Sequence, residues 1–382
     1  DYDYIYNDMK RYTSKYNYNV GDYYYGDNYV SGNGNFSDET AYNNEKNRML
    51  RSVYNNGGFW ISRYEIGTFD ATEALSHSIT TADVTTPVSQ PNAYPIVYKT
   101  QAQSQQIVRK MNNQANLLFG IQWDLTMKFL EEKGGLTVSD ITTNSASWGN
   151  YYGVNFTIQR GKYNSVWHSP NDWINATNVT KPSNDGYVLT TGASDRNKKM
   201  NIYDLAGNVE EWTLESESFE KEMFARGGNG SDDIYGDTYP AGCRNLTYSS
   251  SDEVGIRAAL YGDGTNQDDG DTKPQVGAIE FGNLQWDSDN IIASVTVSKT
   301  TSDSLDLQYK INDGNWITIE NNGIISNLKE GDIVTACLFD GVNRSYYATL
   351  NIVGPGDTAE EIAKKPREYY VKYVDYQPIN GE

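Results

Sequence analysis

The side chains that could do nucleophilic or soft-metal chemistry are few: Cys243, Cys337, His77 and His168. They are scattered, so they build neither a Cys/His zinc set nor a His-x-x-x-His iron motif. A thiol attacks as its thiolate, which needs a base or a positive neighbour. Neither His lies near Cys243 in sequence, and no second thiol is placed to resolve a disulfide. Cys337 sits in an alternating apolar run and reads as a small buried residue. Nucleophile-elbow, phosphate-loop and metalloprotease motifs are absent. Carboxylates are too abundant, at 51 Asp plus Glu, for any pair to single itself out. The acidic run 262–271 is spaced loosely like a calcium loop but lacks the closing Glu, and it reads as a solvated linker. The expectation is a chain that is not an enzyme.

The elements that would position any site centre on Asn201-Ile202-Tyr203-Asp204-Leu205-Ala206-Gly207-Asn208-Val209-Glu210-Glu211-Trp212. A strand-like start runs into a Gly-Asn turn and then into carboxylates and a Trp. This stretch resembles the "LYDMxGNVWEW" signature of formylglycine-generating-enzyme-like (sulfatase-modifying factor) domains, which have a C-type-lectin type of fold. The run 57–67, from Gly57-Gly58-Phe59 to Glu65-Ile66-Gly67, resembles that family's "GFYIGRYEV" opening. Ala225-Arg226-Gly227-Gly228 and Gly255-Ile256-Arg257 resemble its closing "RGGS…GFRV" strands. Segment 119–135 keeps the family's spacing to a double Gly, but Gln122-Trp123-Asp124 departs from its usual residues. Trp123 reads as core. The resemblance covers about 57–261.

The resemblance implies a lectin-type scaffold without the chemistry of the oxidising members, which use two Cys near the last strands. Only Cys243 stands in that region. It also implies a structural calcium beside the Gly-Asn-Val segment, held by side-chain oxygens of Asn208 and Glu211 and the carbonyl of Val209. The plainer reading puts Asn208 in a tight turn and gives Glu211 an ordinary hydrogen bond. In lectin-like relatives diversified by retroelements, the loop before the final strands carries the variable, ligand-contacting positions. Here those would be Asn229, Ser231, Asp232, Asp233, Ile234, Tyr235, Asp237, Tyr239, Cys243, Asn245, Leu246, Thr247 and Tyr248. Tyr, Ser, Gly and Asn make adaptable binding loops, although this mix is common in polar loops generally.

Segment 1–56 is rich in Tyr, Asn, Asp and Gly and reads as an irregular extension with one short helix around 45–53. Thr100 caps a helix carrying Ile107, Val108 and Met111, and Trp123, Met127 and Leu130 share the face of another that Gly134-Gly135 stops. After a 262–274 linker, alternating runs at 292–297, 305–311, 316–319, 333–338 and 346–352 predict an immunoglobulin-like β-sandwich over 275–354. Asn312-Asp313-Gly314-Asn315 is its hairpin turn. The tail 355–382 ends in 369–374, a run that reads as a frayed terminus or as a strand for another domain or chain. The predicted class is α+β.

A net charge of −20 opposes contact with nucleic acid and anionic membranes. No stretch is apolar and long enough to span a bilayer. The 31 Tyr suit either binding surfaces or strands. The chain starts at Asp1 rather than Met, in keeping with a removed export signal or a chosen boundary. Together these give an expected function: an extracellular, cell-surface or phage-particle protein that binds a protein or glycan ligand without catalysis. Two other readings stand beside it. One is a structural subunit of a surface layer, filament or phage particle, a homo-oligomer joined through its terminal segments. The other is an oxidoreductase relative working through Cys243.

Overall fold

A computed structural model describes residues 2–16, 25–77, 84–166, 169–181, 186–217, 223–232, 239–247, 250–261, 279–282, 284–287, 291–299, 305–312, 314–339, 341, 348–352 and 370–374. The chain divides into two compact units. One comprises Asp1–Asn47, Gly58–Tyr261 and Tyr369–Glu382; the other comprises Arg48–Gly57 and Gly262–Glu368. The described residues are α+β, with six α-helices and small, mostly antiparallel sheets. None of their helices is long and apolar enough to cross a membrane.

Two sheets organise the first unit. In one, the strand Glu210–Glu217 pairs antiparallel with Met223–Arg226, which pairs in turn with Arg244–Thr247. Tyr25–Gly26 and the parallel strand Val254–Gly255 also join Glu210–Glu217. In the other sheet, Gly58–Ser62 lies between Tyr370–Val374 and Ala258–Leu260, and Ala115–Leu117 follows.

The helix Gln101–Met111 starts as its sequence requires. Thr100 Oγ accepts from Gln103 N, Gln103 Oε1 accepts from Thr100 N, and Ile107, Val108 and Met111 are buried. The helix Gly120–Gly134 buries Trp123, Met127 and Leu130 and ends at Gly135 with φ 70°, where a Cβ would be strained. Trp123 is a core residue whose Nε1 donates to Ala241 O at 2.8 Å.

The N-terminal segment corrects the expected irregular extension. Tyr2–Tyr12 is a helix whose Ile5 and Met9, one turn apart, are buried, and the second helix is longer than expected, at Glu39–Asn56. Tyr42 is fully buried and donates to Leu214 O. Tyrosine here fills the core while its hydroxyl finds a carbonyl, a role that a reading of polarity alone misses.

Asp27 supplies the other tie. Its carboxylate accepts from Gly120 N at 2.6 Å and Ile121 N at 3.0 Å, capping the helix Gly120–Gly134 from a distant part of the chain. A helix start leaves its first amides without partners, and a carboxylate there also meets the positive end of the helix dipole. Asp27→Ala is therefore expected to destabilise the fold by roughly 1–2 kcal/mol in urea unfolding. A change below a few tenths would show that the cap is dispensable.

The second unit contains two four-stranded antiparallel sheets. Ala293–Lys299 pairs with Ile279–Phe281, Gln285–Trp286 and Gly323–Leu328 in one; Ile317–Ile319, Asp306–Ile311, Ile333–Phe339 and Ala348–Asn351 follow in order in the other. Inward residues of both, among them Val295, Val297, Leu307, Ile325, Val334 and Leu338, form one apolar core. The alternation expected from sequence appears here as burial on alternate residues of Ala293–Lys299. The strands at 279–281, 285–286 and 323–328 add to those expected from the alternating runs. Asn312 turns the chain with φ 51°, while Asp313 of that turn lies outside the described residues.

Candidate functional site

The strand Glu210–Glu217 is buried along its whole length although it carries four glutamates. Burying a carboxylate is costly unless it is paired or hydrogen-bonded. Each of Glu215, Glu211 and Glu210 meets that demand differently, and the three solutions define the region.

Glu215 belongs to a closed ionic ring. Arg226 reaches Asp124 Oδ1 at 2.7 Å and Glu215 Oε2 at 3.1 Å; Arg244 reaches Asp124 Oδ2 at 2.8 Å and Glu215 Oε1 at 2.6 Å. All four side chains are at most 5% exposed. Leftover guanidinium donors reach main-chain carbonyls: Arg226 Nε to Cys243 O at 2.6 Å, and Arg244 Nη1 to Tyr16 O at 3.2 Å. Two charges of each sign and complete hydrogen bonding make the burial tolerable. The ring ties the helix Gly120–Gly134 to three strands of the sheet.

Glu211 lies in a second cluster. Arg257 donates from Nε to its Oε1 at 2.8 Å, and also to Ser62 O and Tyr203 O. Glu65 accepts from Asn208 Nδ2 at 2.7 Å, and Asp204 accepts from Gly192 N at 2.7 Å. Burial pushes Glu211 up to about 7 against the pull of Arg257, and pushes Asp204 up to about 6. Glu65 rises well above the carboxylate range, through burial first and then Asp204 and Glu211.

This arrangement bears on the expected calcium ligands. Asn208 is in the tight turn, with φ 69°, beside Gly207, where a Cβ would sit 2.1 Å from Asn150 O. Its amide oxygen already accepts from Asn150 Nδ2 at 3.0 Å and Leu189 N at 2.8 Å. Glu211 Oε1 already carries a cation, Arg257, and only its Oε2 is without a hydrogen-bond partner. A calcium ion takes six to eight oxygens. Among the described residues no three His, Cys, Asp or Glu gather into a metal-holding group. In this arrangement Asn208 Oδ1 and Glu211 Oε1 already have partners within the protein, and Glu211 Oε2 does not.

Glu210 faces the polar loop. Its Oε1 accepts from Asn245 Nδ2 at 2.8 Å and from Asn229 Nδ2 at 3.4 Å. Burial raises its carboxyl to about 8, helped by Asp232 and Glu253. Asp232 is itself pushed up to about 7 by burial, and its Oδ2 accepts from Asn229 N at 2.7 Å. Asn229 Oδ1 accepts from Ser231 N, and the single Ser231 hydroxyl proton is shared between Asn229 Oδ1 at 2.6 Å and Glu253 Oε1 at 2.8 Å. Gly230 N donates to Asn208 O in the tight turn, and Glu210 N, at the start of the strand Glu210–Glu217, donates to Glu253 O.

The expected contact residues therefore divide. Ser231 is exposed, and Asp232, Tyr239, Asn245 and Leu246 are half-buried. Asn229 is 2% exposed, and its side chain is spent on holding the loop. Cys243 is not a contact residue: it is fully buried, and burial raises its thiol far above the usual range. Thr247 lies in the strand Arg244–Thr247, though its side chain is outside the described residues, as are Asp233, Ile234, Tyr235, Asp237 and Tyr248. Of the two histidines, His77 packs its ring on Tyr98, and His168 lies outside the described residues.

The residues that hold this region, Asp124, Arg226, Arg244, Glu215, Glu210 and Glu253, do not announce themselves as a group in the sequence. The one available signal is Arg226 and Arg257 inside the closing motifs, since a buried Arg in a strand calls for a carboxylate partner. Which carboxylate it finds is a tertiary fact. No family model, curated protein or solved structure matches the chain.

Proposed function

We propose that this is a non-catalytic binding or surface-display protein whose contact face is the loop region 229–253. One observation carries the reading. Ser231, Asp232, Tyr239, Asn245 and Glu253 reach solvent, and behind them the buried Arg226–Asp124–Arg244–Glu215 ring holds the backbone carbonyls of Gly242 and Cys243. Polar and Tyr side chains on a stiff support lose little freedom on binding, which favours affinity. The ligand is a protein or glycan on a cell or phage surface. The formylglycine-generating-enzyme-like motifs support a C-type-lectin-type scaffold, and the two-sheet second unit serves as an immunoglobulin-like spacer. The composition of the loop supports diversification by a retroelement.

Glycan and surface-protein arrays probed with fluorescent full-length chain test the reading. Ser231→Ala/Asp232→Ala/Tyr239→Ala is expected to weaken capture at least about tenfold, the cost of one good contact residue. Equal capture by the folded triple variant would remove the loop from the binding face. For diversification, the source genome decides: a nearby reverse transcriptase and a near-repeat of the 229–253 coding region are expected.

A further inference from the structure

The sheet of the first unit that contains Gly58–Ser62 is completed by the last of the described strands. Tyr370–Val374 pairs in parallel along all five residues of Gly58–Ser62, from Gly58↔Tyr370 to Ser62↔Val374. Strand order places Tyr370–Val374 at the sheet's edge. Its acceptor is no peripheral strand, since Phe59, Ile61 and Ser62 are fully buried. Without the added strand, the main-chain groups of a core strand would face outward unpaired, which is a standing template for pairing.

Between the rest of the first unit and the donor strand the chain passes through residues 262–368, which together with Arg48–Gly57 make up the second unit. Five ladder pairs hold it, and a main-chain ladder is the same whichever copy supplies the strand. We infer that the edge at Gly58–Ser62 is a strand acceptor whose occupant, Tyr370–Val374, exchanges between copies of this chain. Reciprocal exchange closes a dimer; one-directional exchange links copies head to tail into a chain. Docking within one copy is favoured by an effective concentration on the order of mM, so exchange gains as copies crowd together. The inference is independent of the ligand-binding reading.

Cross-linking tests it with the full chain. Trp60 and Lys372 are register partners. Trp60→Cys and Lys372→Cys chains are mixed and treated with a short bis-maleimide; the native thiols Cys243 and Cys337 are both buried. The mixture is expected to give a covalent dimer in excess of either chain alone, at about 1 mM and at least tenfold less at about 1 µM. A folded mixture with no excess dimer at either concentration overturns the inference. If circular dichroism shows either variant unfolded, a labelled peptide of residues 366–382 decides it. Binding at least tenfold tighter to a folded Val371→Pro/Lys372→Pro chain than to the unaltered chain supports exchange, and equal or absent binding overturns it.

Discussion

Arg226→Ala is expected to cost about 3–5 kcal/mol of stability, because it leaves two buried carboxylates, Asp124 and Glu215, sharing the single counter-charge of Arg244. Arg226 is 0% exposed and bridges Asp124 and Glu215 while donating to two carbonyls, Cys243 O and Gly242 O. Water cannot replace those partners without opening the core. Natural domains have about 5–15 kcal/mol in total, so this loss is close to unfolding. Urea unfolding followed by Trp fluorescence reads it. Arg226→Lys keeps a charge but loses the planar fork, so an intermediate loss is expected. In the cycle Arg226→Ala, Asp124→Ala and both, the double variant should lose markedly less than the sum. A single-variant loss under about 1 kcal/mol, or strict additivity, would show that the ring is not a cooperative unit.

The second large effect concerns pH. Buried carboxyls, and the half-buried Asp232, are pushed up: Glu210 to about 8, Glu211 and Asp232 to about 7, Asp204 and Asp27 to about 6. Burial is the first cause for each, and carboxylate neighbours add to it for Glu210, through Asp232, and for Asp27, through Glu215. The ordinary values are 4.5 for Glu and 3.8 for Asp. Between the ordinary and the raised value the native state holds protons that the unfolded chain has released, so stability falls as pH rises. The contribution is fully present below the ordinary values and is lost as pH climbs through about 6 to 8. Each tenfold gain in a carboxyl's proton affinity on folding is worth ~1.4 kcal/mol, so Glu210 alone, raised from 4.5 to about 8, contributes on the order of several kcal/mol. The melting temperature is expected to be higher near pH 5 than near pH 9, and Glu210→Gln should flatten the upper part of the decline. A flat or rising profile across that range would mean that these carboxyls ionise freely in the fold.

The ring and the raised carboxyls show why the candidate site is only partly legible in the sequence. Loop 229–253 is visible there as a polar, Tyr-bearing stretch before the final strands. Ser231, Asp232 and Tyr239 do reach solvent, whereas Asn229 and Cys243 point inward. Composition cannot tell an Asn that meets a ligand from one that staples a turn, since both use the same amide. The N-terminal segment misleads for a related reason. Its Tyr-, Asn- and Gly-rich composition reads as an irregular extension, yet Tyr16 and Tyr42 are fully buried.

Local patterning by itself determined the helix caps at Thr100 and Gly135, the apolar faces of two helices, the alternation of the second unit's strands and the αL turn at Gly207-Asn208. These depend on residues within a turn or two of one another, where periodicity and backbone sterics act directly. Tertiary structure alone decided that Asp27 caps a helix starting at Gly120, that Arg226 and Arg244 share Asp124 and Glu215, and that residue 370 begins a strand beside residue 58. Such pairings join groups far apart in the chain, and many carboxylates or strand edges could serve each partner equally well on sequence grounds. Burial selects among them, because only a complete set of partners makes charge and bare backbone tolerable away from water.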